Sequence, residues 1–421
     1  MHSSIIESMD NGLSMDLDAL ITRVMSVEDK TLGSVEQGFV VRYRGRLMGE
    51  DTARLYDWLE DALRPYQLTP VFRMEDRRHV VYFIPAQPQP KPSSGRLNLI
   101  LFILTLISVI YTGGAMSITQ EPPPGFIPGL MAYLSAGWPF AVAILSIMGA
   151  HEFGHYLMGR YHNVHVSLPY FIPFPNVFGT LGAVINMKER VKNRRVLLDI
   201  GIAGPLSGLV VSLLVLGIGL SLSNLSTLPP APPQLPSEGG FFQQFLDRLT
   251  APVTLTLEGN SILYLLMKYL RFGMLLPAPA DYGGVPPVLY WIRYFFTASP
   301  PPYGGVDVSL HPVAWAGWGG LLITALNLIP AGTLDGGHLI NVLIGRKRAM
   351  RLLPWIQGIL LAMSLLSINW LIWLLLISWL GKAYAEPLDE ITPLDPPRKA
   401  LAVLGIIIFF LVFTPVPISG M

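Results

Sequence analysis

The chain has 421 residues, of which 51% are hydrophobic and only 14% charged, where a soluble domain carries about 25%. A net charge of +1 gives no field for holding nucleic acid, and the lack of any cysteine removes disulfides, thiolate metal sites and cysteine nucleophiles together. Any metal here must sit on nitrogen and oxygen ligands.

The charges crowd into residues 1–96, which predicts a polar N-terminal unit followed by a membrane domain. The first thirty residues lack a basic n-region and an apolar core and carry Glu7, Asp10, Asp16, Asp18, Glu28 and Asp29. They read neither as a secretory signal nor as a transit peptide. A helix is expected near 15–28. Within 36–86 the alternation of "GFVVRYRG" predicts a strand, and "DTARLYDWLEDALRPY" predicts a helix with Leu55, Trp58, Leu59, Ala62 and Leu63 on one face. "TPVFRME" and "RHVVYFI" read as a hairpin turning at 75–77, giving a βαββ module without any chemical motif. Residues 1–86 are therefore expected to form an α+β domain, and 87–96 the end of a Pro-rich linker, "PAQPQPKPSSG".

Spanning helices need roughly 20 apolar residues, and the expected spans are 97–116, 137–160, 196–222, a broken 313–345 and 400–417. The run 352–380 favours two short helices meeting at Ser367–Asn369. The fold class is an α-helical polytopic membrane protein of about six to eight transmembrane helices with the small α+β domain in front. The span at 97–116 would serve as an uncleaved targeting signal. Lys and Arg cluster in "KERVKNRR" (188–195) and "GRKRAMR" (345–351), and Lys91 and Arg96 flank the first span. All of these are expected on the cytoplasmic side, with the Lys- and Arg-free loop 117–128 opposite. The helix holding residues 151–155 then runs inward.

That second span interrupts its apolar run with His151, Glu152 and His155. Four residues apart on a helix, His151 and His155 point the same way, one turn above the other. Two imidazoles so placed can ligate one zinc, with Glu152 beside them as general base toward water. A single histidine at membrane depth could be a satisfied packing residue. Three ionisable groups in the HExxH pattern are functional by default, because unpaired they cost several kcal/mol in lipid. The insertion 223–310 is long and rich in Pro and Gly, and its apolar middle (262–276), broken by Lys268 and Arg271, is expected to lie along the interface. Beyond it, "ALNLIPAGTLDGGHLINVLIG" (325–345) holds a single acidic residue, Asp335, among helix-breaking Pro330, Gly332, Gly336 and Gly337. Broken backbone at membrane depth lines a buried or wet cavity, and the break would let Asp335 turn toward the histidines.

HEFGH on one helix and NLIPAGTLDGG on a later one resemble the site-2 protease family of intramembrane zinc metalloproteases. The likeness covers roughly 97–345, with 346–421 as additional C-terminal helices. It implies one Zn2+ held by His151, His155 and Asp335, Glu152 as catalytic base, and Asn327 as a substrate or oxyanion contact. "NVFGTLGAVINM" (176–187) resembles the family's extended segment, which could offer an edge strand to substrate backbone. "GIAGPLSG" (201–208) resembles the third core helix, with small residues for close packing. No PDZ or CBS domain is recognisable, and the layout is closer to the multi-helix relatives of plastids and bacteria. The implied substrates are membrane proteins, such as membrane-held transcription regulators or signal-peptide remnants. A bacterial cell membrane is the favoured location, with the N-terminal domain cytoplasmic.

Several residues are set aside. His162 and His165 follow the helix end and read as interfacial. His338, one turn past Asp335, reads as no more than a supporting group. Trp370, Trp373 and Trp379 read as lipid-facing anchors. The alternative functions are a catalytically silent relative that binds membrane proteins, which would tend to lose the base or a ligand, and a transporter, which would favour inverted repeats. The chain keeps Glu152 and the ligand set, and shows no such repeat.

Overall fold

A computed structural model describes residues 11–34, 36–86, 95–118, 123–230, 256–299, 301–365 and 367–420. The chain opens with helix α1 (Asn11–Ile21), strand β1 (Met25–Leu32), strand β2 (Val41–Leu47), helix α2 (Thr52–Leu63) and the hairpin of β3 (Leu68–Glu75) and β4 (Arg78–Pro85). The sheet order is β1-β2-β4-β3, antiparallel throughout. The expected helix at 15–28 is thus corrected. It stops at Ile21, and "MSVEDKTL", with β-branched Val27 and Thr31, pairs with β2. Lys30 then reaches back to Asp18 at 2.6 Å, holding helix and strand together.

In α2, Asp51 caps the first turn by accepting from the Arg54 N–H at 3.2 Å. The stripe that it buries is Thr52, Tyr56, Leu59 and Leu63. Trp58, expected on the buried face, lies off this stripe and is exposed, with the Arg23 guanidinium over its ring. Tyr56 meets Phe72 edge-to-face beneath the sheet, at 5.2 Å between centroids. The β3–β4 turn falls where expected, with Asp76 and Arg77 both at positive φ (46° and 64°), as a two-residue hairpin requires. Of the linker, residues 87–94 lie outside the described residues.

Three described helices are long and apolar enough to cross a membrane: α3 (Arg96–Ser117), α4 (Phe126–Tyr161) and α5 (Arg194–Leu222). The helix α4 starts eleven residues before the expected 137 and carries Pro139 inside it. Between α4 and α5 runs a two-stranded hairpin, β5 (Tyr170–Pro173) and β6 (Thr180–Val184). The insertion holds β7 (Asn224–Leu228), β8 (Thr256–Glu258), helix α6 (Ile262–Phe272), β9 (Ala278–Pro279), helix α7 (Pro287–Thr297) and β10 (Gly305–Ser309), while residues 231–255 lie outside the described set. At about 16 Å, α6 is too short to span. Its Lys268 is fully buried, 3.6 Å from Glu258 Oε1 and over the Tyr264 ring.

The expected broken span resolves into α8 (Pro312–Asn327) and α9 (Asp335–Ile344), with Gly332 at φ +56° in the gap, a backbone that L side chains rarely adopt. The run 352–380 is two helices, α10 (Arg346–Ser364) and α11 (Asn369–Leu380), followed by α12 (Pro396–Val412) and β11 (Ile418–Gly420), which pairs with β8. Trp370 corrects one expectation: it is buried and donates its Nε1–H to the Pro415 carbonyl at 2.7 Å. Trp379 is exposed.

In the core, α5 packs against α4, α8 and α9. The chain between α11 and α12 ties this core to the N-terminal sheet. Phe72 N–H donates to the Leu388 carbonyl and Glu390 N–H to the Phe72 carbonyl, while Leu388 and Asp389 N–H groups reach Val191 and Lys192. Asp389 is fully buried and accepts from Ile391, Thr392 and the Thr392 hydroxyl. Burial pushes its carboxyl above the usual carboxylate range, and those three bonds offset only part of that rise. Lys192 also pairs with Asp57 and Glu60 of α2, at 2.7 and 3.1 Å. The basic loop 188–195 and the N-terminal domain therefore share one face of the molecule.

Candidate metal centre

His151, Glu152 and His155 lie on α4, each about 5–6% exposed, on the side facing α5 and the α8–α9 break. Asp335 is the first residue of α9. Leu334 before it is extended, so the chain enters the helix abruptly and turns the carboxylate back toward α4. One carboxylate oxygen faces each ring: Oδ2 stands 3.3 Å from His151 Nε2, and Oδ1 3.4 Å from His155 Nε2. The two Nε2 atoms are 3.2 Å apart. Residues far apart in sequence thus offer three ligand atoms within 4.8 Å of one another.

The residues fit a zinc ion. Donors about 2.0–2.1 Å from a tetrahedral zinc stand roughly 3.3 Å from each other, close to the 3.2 Å between the two Nε2 atoms, and the carboxylate reaches each nitrogen through a different oxygen, at 3.3 and 3.4 Å. The His155 Nδ1–H donates to the Ile200 carbonyl at 2.7 Å, because a carbonyl can only accept. That fixes the tautomer and leaves the Nε2 lone pair aimed at the shared point. Two imidazoles and one carboxylate are the kind of three-ligand donor set that catalytic, rather than structural, zinc sites use.

Room for the rings comes from α5. A Cβ on Gly204 would collide with the Nε2, Cδ2 and Cε1 atoms of His155, and one on Gly208 would lie 3.1 Å from His151 Nδ1. Gly201 sits the same way against His338. The stripe "GIAGPLSG" therefore does more than allow helix packing, since its glycines form the wall against which the rings are seated. Gly204→Ala is expected to displace His155 and lower zinc retention roughly tenfold or more, the scale on which misoriented ligands lose metal. Metal analysis of the purified variant, with helicity measured by circular dichroism, checks this.

The other expected residues fall as follows. Asn327 closes α8, and its Nδ2 stands 3.4 Å from His151 Nε2, so the amide borders the same space. The Glu152 carboxylate lies near the Ile185 backbone, just past β6. The segment 176–187 does carry a strand, β6, whose second edge pairs with no strand among the described residues and whose Leu181 and Val184 are exposed. His338 is buried against Gly201, and its Nδ1 has no hydrogen-bond partner among the described residues. His165 pairs with Glu189 at 3.1 Å near the surface. His162 is mostly buried and pairs with Asp199 on α5. Sequence reasoning missed Asp199 and the Ile200 carbonyl altogether. The only local signal was one acid in the otherwise apolar "VLLDIGIAG".

Residues 139–368, more than half of the chain, match the profile of peptidase family M50. The curated relatives include the probable zinc metalloprotease EGY1, chloroplastic, of Arabidopsis thaliana, 27% identical over 76% of this chain and 53% of its own length. EGY2 of the same plant is 30% identical over 68% of this chain and 43% of the relative. An EGY2 from Oryza sativa subsp. indica is 24% identical over 90% and 62%. The chain spans about half the length of the curated relatives it matches. No solved structure matches it. These relatives are named as chloroplast proteins, which overturns the expectation of a bacterial cell membrane.

Proposed function

The chain belongs to peptidase family M50, and from that premise we propose that it is a zinc metalloendopeptidase of a plastid membrane, cutting peptide bonds within or beside transmembrane segments of other proteins. The observation that supports this most is the meeting of His151, His155 and Asp335, with one ligand atom from each within 4.8 Å of the others and Glu152 one residue along the same helix. Zinc held by those three side chains supplies Lewis acidity toward water and a peptide carbonyl. Glu152 takes the proton of the attacking water at its carboxylate and returns it to the departing amide nitrogen. The Asn327 amide donates to the substrate carbonyl oxygen as charge builds there. Substrate backbone, drawn out of its helix, lies along β6, where main-chain hydrogen bonds hold it without reading its sequence.

In the same reading α8, α10, α11 and α12 join α3, α4 and α5 as membrane segments, so the bundle has about six to eight spans. Residues 1–86 form the polar domain on the face of the basic loops. Residues 97–345 carry the protease core, and the rest adds helices. The substrates are single-pass membrane proteins, including membrane-held transcription regulators and signal-peptide remnants. The test is metal removal: purified protein should cleave a transmembrane test substrate, lose activity on treatment with 1,10-phenanthroline, and regain it on adding zinc. Turnover that survives complete chelation would refute the assignment.

A further inference from the structure

Below the metal-type residues, a second polar cluster joins three helices. His162 closes α4, two turns on from His155, and its Nε2 donates to Asp199 Oδ2 at 2.9 Å. Arg398, in the first turn of α12, grips the same carboxylate from the other side. Its Nε lies 2.9 and 3.1 Å from the two oxygens, and its Nη2 2.6 Å from Oδ2. Its Nη1 donates to Asp395, the cap of α12, at 2.5 Å. The Asp199 side chain is 12% exposed.

Asp199 directly precedes Ile200, whose carbonyl takes the His155 Nδ1–H. One turn further, Gly204 lies so close to the His155 ring that no Cβ fits between them. The seating of His155 therefore depends on the rotation and height of α5. A glycine seam brings helices close but offers few interlocking side chains to set that register. Directional bonds from a planar guanidinium to both oxygens of a carboxylate do set it.

We propose that Asp199 is a positioning residue of the metal centre: held by His162 from α4 and Arg398 from α12, it fixes α5 so that the Ile200 carbonyl and Gly204 meet His155. This rests on the reading of His151, His155 and Asp335 as zinc ligands. Asp199 touches neither substrate nor metal and acts only through His155. The arrangement also ties α12 to the metal site, so that a movement of α12 would be felt at one ligand.

The test uses the full chain purified in detergent. Zinc affinity is measured by competition with a fluorescent chelator, and ligand geometry by the visible spectrum of the cobalt(II)-loaded protein. Asp199→Asn keeps the shape but loses the charge, and is expected to bind zinc about 10–100-fold more weakly, the range for groups that orient a ligand. Its cobalt bands should shift in position and intensity, which a loss of general stability alone would not produce. His162→Gln and Arg398→Gln should each give a smaller change in the same direction. Wild-type zinc affinity and cobalt spectrum in folded Asp199→Asn overturn the proposal. If that variant fails to fold, wild-type values in both His162→Gln and Arg398→Gln overturn it instead. Wild-type protein that binds no zinc would refute the ligand assignment itself, a result distinct from either.

Discussion

Glu152→Gln is expected to abolish cleavage of a transmembrane test substrate while leaving one zinc bound per chain. The substitution keeps the size of the side chain and one acceptor oxygen. It removes only the ability to take up a proton. Glu152 is adjacent to His151 in sequence yet is not among the three groups whose donor atoms converge, so metal retention should not change. General-base catalysis contributes about 10²–10⁴ in rate, and a fall in kcat of roughly 10³ is the expected result. Because Gln still fills the same space beside β6, KM should move little. The measurement is single-turnover cleavage alongside zinc content. A variant that cleaves within tenfold of wild type would remove Glu152 from the role of base.

Much of this site was legible in the sequence because its chemistry is local. Two histidines at i and i+4 on a helix must share a face, and a chain places three ionisable groups in lipid only for a purpose. Asp335 was legible for a different reason, as the one acid among helix breakers. What was not legible depends on the packing of distant segments. The Ile200 carbonyl holds His155, but a backbone group carries no sequence signature. Asp199 looked like a stray charge until α12 brought Arg398 to it from 199 residues away. The pairing of β3 with the segment around Leu388 joins the two halves of the chain through main-chain bonds, again with little trace in residue type. Trp370 and Trp379 stand nine residues apart on one short apolar helix, one buried and one exposed, and composition alone gave no ground for separating them. The helix expected at 15–28 ends early because Val27 and Thr31 favour a strand, and β2, far enough along the chain to fold back, supplies its partner.

Asp335→Asn is expected to cost the protein its zinc. Asp335 supplies the negative charge of the donor set, and both of its oxygens are engaged, one with each imidazole. An asparagine in that place offers one neutral oxygen and, on the other side, an NH2 group that can only donate. Turned toward His151 or His155, that group would face a lone pair and satisfy it with a hydrogen bond, competing with metal for the same nitrogen. Loss of a direct ligand should therefore exceed the roughly 10–100-fold that follows from disturbing an orienting partner, and an affinity loss beyond about 100-fold is expected. The fold should survive, because α9 is seated by other contacts: Gly336 and Gly337 lie against the backbone at 328–332, and the Asn341 side chain donates to the Ala385 carbonyl at 3.0 Å. Zinc affinity by chelator competition, read beside circular dichroism, separates the two effects. Unchanged zinc content in a folded Asp335→Asn protein would show that the third ligand lies elsewhere, whereas zinc loss with an intact fold would leave the two histidines as an incomplete site that Glu152 alone cannot make reactive.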